Sequence, residues 1–238
     1  MNGVFVTGTG TEVGKTVVAA AIARTFRADG QRVAVFKPAV TGLDGLPAER
    51  PVNGDVDRFQ AHRPEGEADH ALLRRAAGSE QSDDEIAPYR YGPAASPHLA
   101  AALADEEIEP PRLVAAARAA QAGAEVLVCE GVGGLLVPLS PNYLVRDFAV
   151  ELGLPLVIAA SPGLGTINHT LLTIAAARAA SIEIAAVVLT PWPDQPSGIE
   201  QSNRETIQAL GKVTVETLPP LDLSAPETWP PMGRFRDI

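Results

Sequence analysis

Cysteine is nearly missing from this sequence: Cys129 is the single one among 238 residues. No disulfide can form within the chain, and a reducing compartment is the simple inference. Basic residues are also short, with 19 Lys and Arg against 29 Asp and Glu and a formal charge of −10. No Lys/Arg cluster of the kind that tracks a nucleic-acid backbone is present. The acidic balance argues against nucleic acid or an anionic membrane surface as a partner. It leaves small anionic ligands open, since these need only a local basic pocket. No apolar run approaches the length of a membrane span. A strand starting at Gly3 leaves no room for a signal peptide, so the expected location is cytoplasmic. Aromatic residues make up only 5% of the chain, so the 46% that is apolar builds its core mainly from alanine, valine and leucine.

What is abundant is glycine and threonine at one place. A short apolar strand, Val4-Phe5-Val6, runs into Thr7-Gly8-Thr9-Gly10-Thr11-Glu12-Val13-Gly14-Lys15-Thr16. A helical run follows, with Val18, Ile22 and Phe26 four apart on one face. This is the context of a phosphate-binding loop, where backbone N–H groups and a helix N-terminus surround phosphate oxygens. Lys15 is placed to reach β- and γ-phosphates and the Thr16 hydroxyl to bind Mg²⁺, with Glu12, Val13, Gly14 and Val17 completing the nucleotide-contacting set. The spacing departs from G-x-x-x-x-G-K-[ST]: position 9 is Thr9, and the glycines stand at 8 and 10.

Buried-type strands are expected at 32–36, 125–129, 154–160, 184–189 and 213–218, and helices at 68–77, 110–122, 142–152, 166–180 and 197–210. Residues 41–66 read as a long loop over the site, with a short helix near 57–61. Strands that are unbroken apolar runs alternating with helices imply a parallel sheet covered on both faces. The expected fold is α/β: one doubly wound, mostly parallel sheet of the P-loop NTPase type, a single domain over 1–238 with an irregular tail from about 219. Ligands are then expected at the carboxyl ends of the strands.

That rule brings distant residues together. Lys15 and Thr16 follow the first strand, Lys37 ends the second before Pro38, and Glu130 ends the third. Two lysines beside a carboxylate and a hydroxyl suit a polyanion and a metal. Asp55 and Asp57 are both candidates for a further acidic ligand. His98 and His169 read as structural, and Cys129 as a buried strand residue whose thiol Glu130 would push up.

Five motifs in order, Thr7–Thr16, Phe36-Lys37-Pro38, Ser96-Pro97-His98, Glu130-Gly131-Val132-Gly133-Gly134 and Leu164-Gly-Thr-Ile-Asn-His169, make the chain resemble dethiobiotin synthetase. The resemblance spans about residues 3 to 190. It implies closure of a ureido ring on 7,8-diaminopelargonate with CO₂, ATP and Mg²⁺, by a homodimer. It also implies that Lys15 and Lys37 neutralise a carbamate and the γ-phosphate, while Thr16, Asp55 and Glu130 hold Mg²⁺, Asp55 being preferred to Asp57. Thr41 takes a substrate-contacting position, and backbone at Gly131, Val132 and Gly133 faces substrate and phosphates. The helix start at Asn142, Tyr143 and Leu144 resembles a segment that caps the substrate carboxylate from the other subunit.

One departure concerns the base. The family commonly carries an adenine-reading asparagine at the end of the fifth strand, where this chain has Thr190, Pro191 and Trp192. The expectation is that several nucleoside triphosphates are accepted, unless backbone at Leu218, Pro219 and Pro220 reads adenine. Two rivals share the fold. A partitioning or metal-insertion switch ATPase usually has an early loop lysine, and here Glu12 stands without one. A cobyrinate-type ligase would need a second, ammonia-supplying domain.

Overall fold

The computed structural model describes residues 1–44 and 67–237. Six strands form one sheet: β1 (Gly3–Gly8), β2 (Val33–Phe36), β3 (Val126–Gly134), β6 (Leu156–Ala160), β7 (Ile184–Leu189) and β8 (Val215–Thr217). Their order across the sheet is β2-β3-β1-β6-β7-β8, and every neighbouring pair is parallel. The helices are α1 (Lys15–Ala28), α2 (Asp69–Ala77), α3 (Asp83–Ile86), α4 (Pro97–Leu103), α5 (Pro110–Ala122), α6 (Val145–Leu152), α7 (Thr166–Ala179) and α8 (Gly198–Gly211). The doubly wound expectation holds.

Strand periodicity explains the two cores. In β1, Val4 and Val6 point to one face and pack with α1 and α2. Phe5 points to the other and packs with Phe36 and with Phe148 of α6. Both sets are wholly buried, as an all-parallel sheet requires.

Two boundaries depart from expectation. β3 continues past Glu130 to Gly134, because its far end pairs with β1, Gly8 opposite Gly134. The helix expected from 142 begins only at Val145. Tyr143–Leu144 (β5) instead pairs antiparallel with Pro138–Ser140 (β4), and the Asp147 carboxylate reaches back to accept from the Leu144 N–H at 2.9 Å. That contact fixes the first turn after the hairpin, which the apolar periodicity of 142–152 conceals.

The tail is irregular, as expected, with two short 3₁₀ turns at Pro226–Thr228 and Gly233–Asp237. It is nonetheless part of the core. Trp229 and Phe235 are buried in the cluster that holds α1. Arg24 of α1 donates to the Glu227 carbonyl at 3.0 Å, and Thr25 Oγ1 accepts from the Met232 N–H at 2.9 Å. Among the described residues, no helix is long and apolar enough to cross a membrane.

Candidate active site

The loop between β1 and α1 closes tightly. A Cβ at Gly8 would lie 2.7 Å from Val13 Cγ2 and 2.8 Å from Lys15 Cγ, so only glycine fits there. Gly14 adopts φ 85 immediately before the helix, a left-handed conformation that glycine accepts without strain. The Val18 N–H bonds back to the Gly14 carbonyl at 3.0 Å, so α1 is regular from its first turn. Lys15 is buried, and its Nζ donates to the Gly10 carbonyl at 2.7 Å, folding the side chain over the loop that carries it. Burial lowers the Lys15 ammonium to about 8, with Lys37 contributing, against an upward pull from Glu130, Asp69 and Glu12.

Glu130 is the hub. Its register partner in β1 is Val6, so its side chain rises beside the loop at the carboxyl end of the sheet. It is wholly buried. Thr16 Oγ1 donates to Oε1 at 2.9 Å, and Lys37 Nζ donates to the same oxygen at 2.5 Å. Oε2 is buried and has no hydrogen-bond partner among the described residues. Burial pushes the Glu130 carboxyl above its ordinary range, while Lys37 pulls it down.

Lys37 is held from both ends. Its backbone N–H donates to the Ile86 carbonyl at 2.8 Å, while its ammonium also pairs with Asp69 Oδ2 at 2.9 Å. Burial alone would lower the Lys37 ammonium. Asp69 and Glu130 together outweigh it and hold the group above its usual value.

The structure thus brings Lys15, Thr16, Lys37 and Glu130 together, with one addition. Asp69, in the first turn of α2, is a second carboxylate at the cluster. Sequence reading passed over it, because 68–77 reads as a plain helix after the loop. Its signal was an acidic residue in the first turn of a helix that returns the chain to the sheet. Asp55 and Asp57, with the helix expected near 57–61, lie outside the described residues.

Thr41 is half-buried beside Val40, whose N–H bonds the Tyr89 carbonyl at 2.9 Å. Gly131 is buried, and a Cβ there would meet Val145 and Phe5 at 3.0 and 3.1 Å. Gly133 has φ +61, while Val132 is half-buried. Asn142 is exposed on the β4–β5 hairpin, and the Tyr143 hydroxyl donates to Glu151 at 2.9 Å.

On the other side of β1 the ends of β7 and β8 meet. The Thr190 N–H bonds the Ala160 carbonyl at 2.9 Å, the Trp192 N–H bonds Leu218 at 2.8 Å, and the Leu218 N–H bonds Leu189 at 3.0 Å. Pro191, Pro219 and Pro220 have no N–H at all. The backbone at these positions thus offers carbonyls and no free donor. Thr190 itself is buried.

A parallel sheet with a glycine-bounded loop, a buried lysine and a threonine–glutamate pair at its carboxyl edge defines a P-loop nucleotide-binding protein. Solved structures agree on the fold: a ParA family ATPase from Chlorobium tepidum superposes with a TM-score of 0.51 at 15% identity, covering 95% of this chain and 88% of that one. A MinC:MinD cell division complex from Aquifex aeolicus gives 0.53 at 11% identity, covering 95% and 85%. A family model described as an AAA domain matches residues 2–228. At the level of sequence, a Bacillus cereus protein named ATP-dependent dethiobiotin synthetase BioD is 39% identical over 220 residues, 92% of this chain and 84% of that protein. A protein of the same name from Anaeromyxobacter dehalogenans is 40% identical over 199 residues, 83% and 81% of the two chains. The chain belongs to the ATP-dependent dethiobiotin synthetase family.

Proposed function

We propose that this protein closes the ureido ring of dethiobiotin from 7,8-diaminopelargonate, CO₂ and a nucleoside triphosphate. Family membership gives the reaction, and one observation supports its placement here: Lys37 and Thr16 converge on one oxygen of Glu130 at the mouth of the P-loop. The switch-ATPase reading shares the fold alone.

One substrate amine takes up CO₂ as a carbamate. A carbamate oxygen attacks the γ-phosphate and releases the nucleoside diphosphate. The second amine then attacks the carbonyl carbon of the mixed anhydride, expels phosphate and closes the ring. Such chemistry depends on positioning and on neutralising charge. The Lys15 and Lys37 ammonium groups are the cations at hand for the γ-phosphate and the carbamate. Thr41, backbone at 131–133 and, across a two-fold interface, residues 142–144 hold the diamine.

The residues fit Mg²⁺. A buried carboxylate with one unpartnered oxygen, beside a threonine hydroxyl and a second carboxylate, is the oxygen-rich, incomplete shell that this ion accepts. Thr16, Glu130 and Asp69 are the assigned ligands. Bound there, the ion would help neutralise the charge that develops on the transferring phosphate.

The homodimer reading rests on the family resemblance at residues 142–144 and on the small residues of α7, which allow close packing. Light scattering should then report about twice the 24.8 kDa chain mass. A fully active monomer would overturn capping across the interface. The reaction itself is tested by nucleoside diphosphate release, which should need both diaminopelargonate and bicarbonate. Release that is unchanged without the diamine would favour the switch reading.

A further inference from the structure

An ammonium already stands among the oxygens assigned to the metal. Lys37 Nζ is 2.5 Å from Glu130 Oε1 and 2.9 Å from Asp69 Oδ2, and Thr16 donates to the same Glu130 oxygen. Lysine and metal therefore claim one set of acceptors. A Mg²⁺ ion sits about 2.0–2.1 Å from its ligand oxygens. An ammonium at hydrogen-bonding distance from that same oxygen would be a like charge a few ångströms away, in a pocket where Glu130 is wholly buried and screening is weak. The two cations cannot both keep these positions at low cost.

The arrangement has a use before any metal arrives. A buried carboxylate without a counter-charge is expensive and tends to take up a proton. Lys37 supplies Glu130 with that counter-charge and holds Asp69, on a different element, beside it. Lys15 is similarly engaged on the Gly10 carbonyl. Both lysines of the site thus rest on acceptors of the protein itself, and each must leave its acceptor to meet a ligand.

We infer that Lys37 is the resident counter-cation of the metal pocket, and that metal entry and the release of Lys37 toward the reacting groups are a single exchange. Nucleotide that arrives without metal leaves Lys37 on its carboxylates. Metal together with nucleotide displaces it, so the lysine reaches the transferring group only when charge neutralisation is complete. This rests on the assignment of Thr16, Asp69 and Glu130 to the metal, and not on which substrate is carboxylated.

Mn²⁺ serves as the probe, its free concentration read by electron paramagnetic resonance with the full chain and no nucleotide. Lys37→Met should bind Mn²⁺ at least about tenfold more tightly than the unmodified protein, because the competing charge is gone. Equal or weaker binding overturns the exchange. The variant removes the ion pair and leaves Glu130 only its Thr16 hydrogen bond, so its melting temperature should fall and Mn²⁺ should raise it more than in the unmodified protein.

A second measurement needs no variant. In ¹⁵N-lysine-labelled protein, the Lys37 Nζ resonance should move on adding Mg²⁺ with a non-hydrolysable ATP analogue, and stay with the analogue in EDTA. Movement in EDTA, or none with Mg²⁺, overturns the proposal. Mn²⁺ that binds neither form, even with nucleotide, would sink the metal assignment and the exchange with it. Nucleotide turnover independent of the diamine would sink the ligase reading and leave the exchange standing.

Discussion

Thr16 Oγ1 and Glu130 Oε1 lie 2.9 Å apart although 114 positions separate them in the chain. The contact joins the first turn of α1 to β3, and it sets side by side the hydroxyl and the carboxylate that the proposed Mg²⁺ site would use. Glu130→Gln keeps the shape and removes the charge. The Mg²⁺ activation curve should move to about 10–100-fold higher concentration, the range found when groups supporting a metal are lost. An unchanged curve would leave Glu130 a purely structural residue.

Asp69 is set against Asp55 by a pair of substitutions. Asp69→Asn should lower turnover by about 10²–10³, the usual loss when an electrostatic group aimed at developing charge is removed. Asp55→Asn should fall within a few-fold of the unmodified protein. The reverse ranking would return the metal role to Asp55.

Lys15 gives the site a pH limit. Its ammonium, lowered to about 8 chiefly by burial, is charged below that pH and neutral above it. kcat/KM for MgATP, which reports the free enzyme, should therefore decline above about pH 8. kcat should decline at higher pH, because bound phosphate restores the charge. Stability follows the opposite sense. Between about 8 and the ordinary 10.5, the unfolded chain holds more protons at this lysine, so its contribution to stability rises with pH across that window. A kcat/KM flat to about pH 10 would place Lys15 outside phosphate binding.

Base selection is expected to be loose. The ends of β7 and β8 offer no free backbone donor at Thr190–Trp192 or Leu218–Pro220, and the amide of the family's asparagine is replaced by the Thr190 hydroxyl. Sites that read hydrogen-bonding groups reject wrong ligands by about 10⁴–10⁵. Ratios of kcat/KM among ATP, GTP, CTP and UTP should stay below about 10³. A larger preference for ATP over every other base would show that a reader exists.

Much of this was legible in the chain. Thr7–Thr16 carries its own signal, since apolar strand, glycines and Gly-Lys-Thr are local features. Lys37 and Glu130 could be aligned because a parallel sheet collects the ends of its strands on one edge. Asp69 escaped because its one local signal, an acidic residue in a helix's first turn, is common to many helices: its proximity to Lys37 depends on where α2 is placed in the fold. The start of α6 at Val145 was missed for a related reason, since the pairing of Tyr143–Leu144 with Pro138–Ser140 competes with helical periodicity and prevails. The tail gave no pattern at all, because Trp229 and Phe235 act singly, each filling a space made by distant elements.

That strap over α1 sets a timetable for biosynthesis. The P-loop helix is translated by residue 28, yet the side chains that complete its outer packing come from Trp229 and Phe235. At about 5–20 residues per second, an interval on the order of 10–40 s separates the two on the ribosome. For that time the nucleotide-binding helix carries an uncovered apolar flank. Its early translation does not make it an early finished element: the first motif to be made is among the last to be sealed.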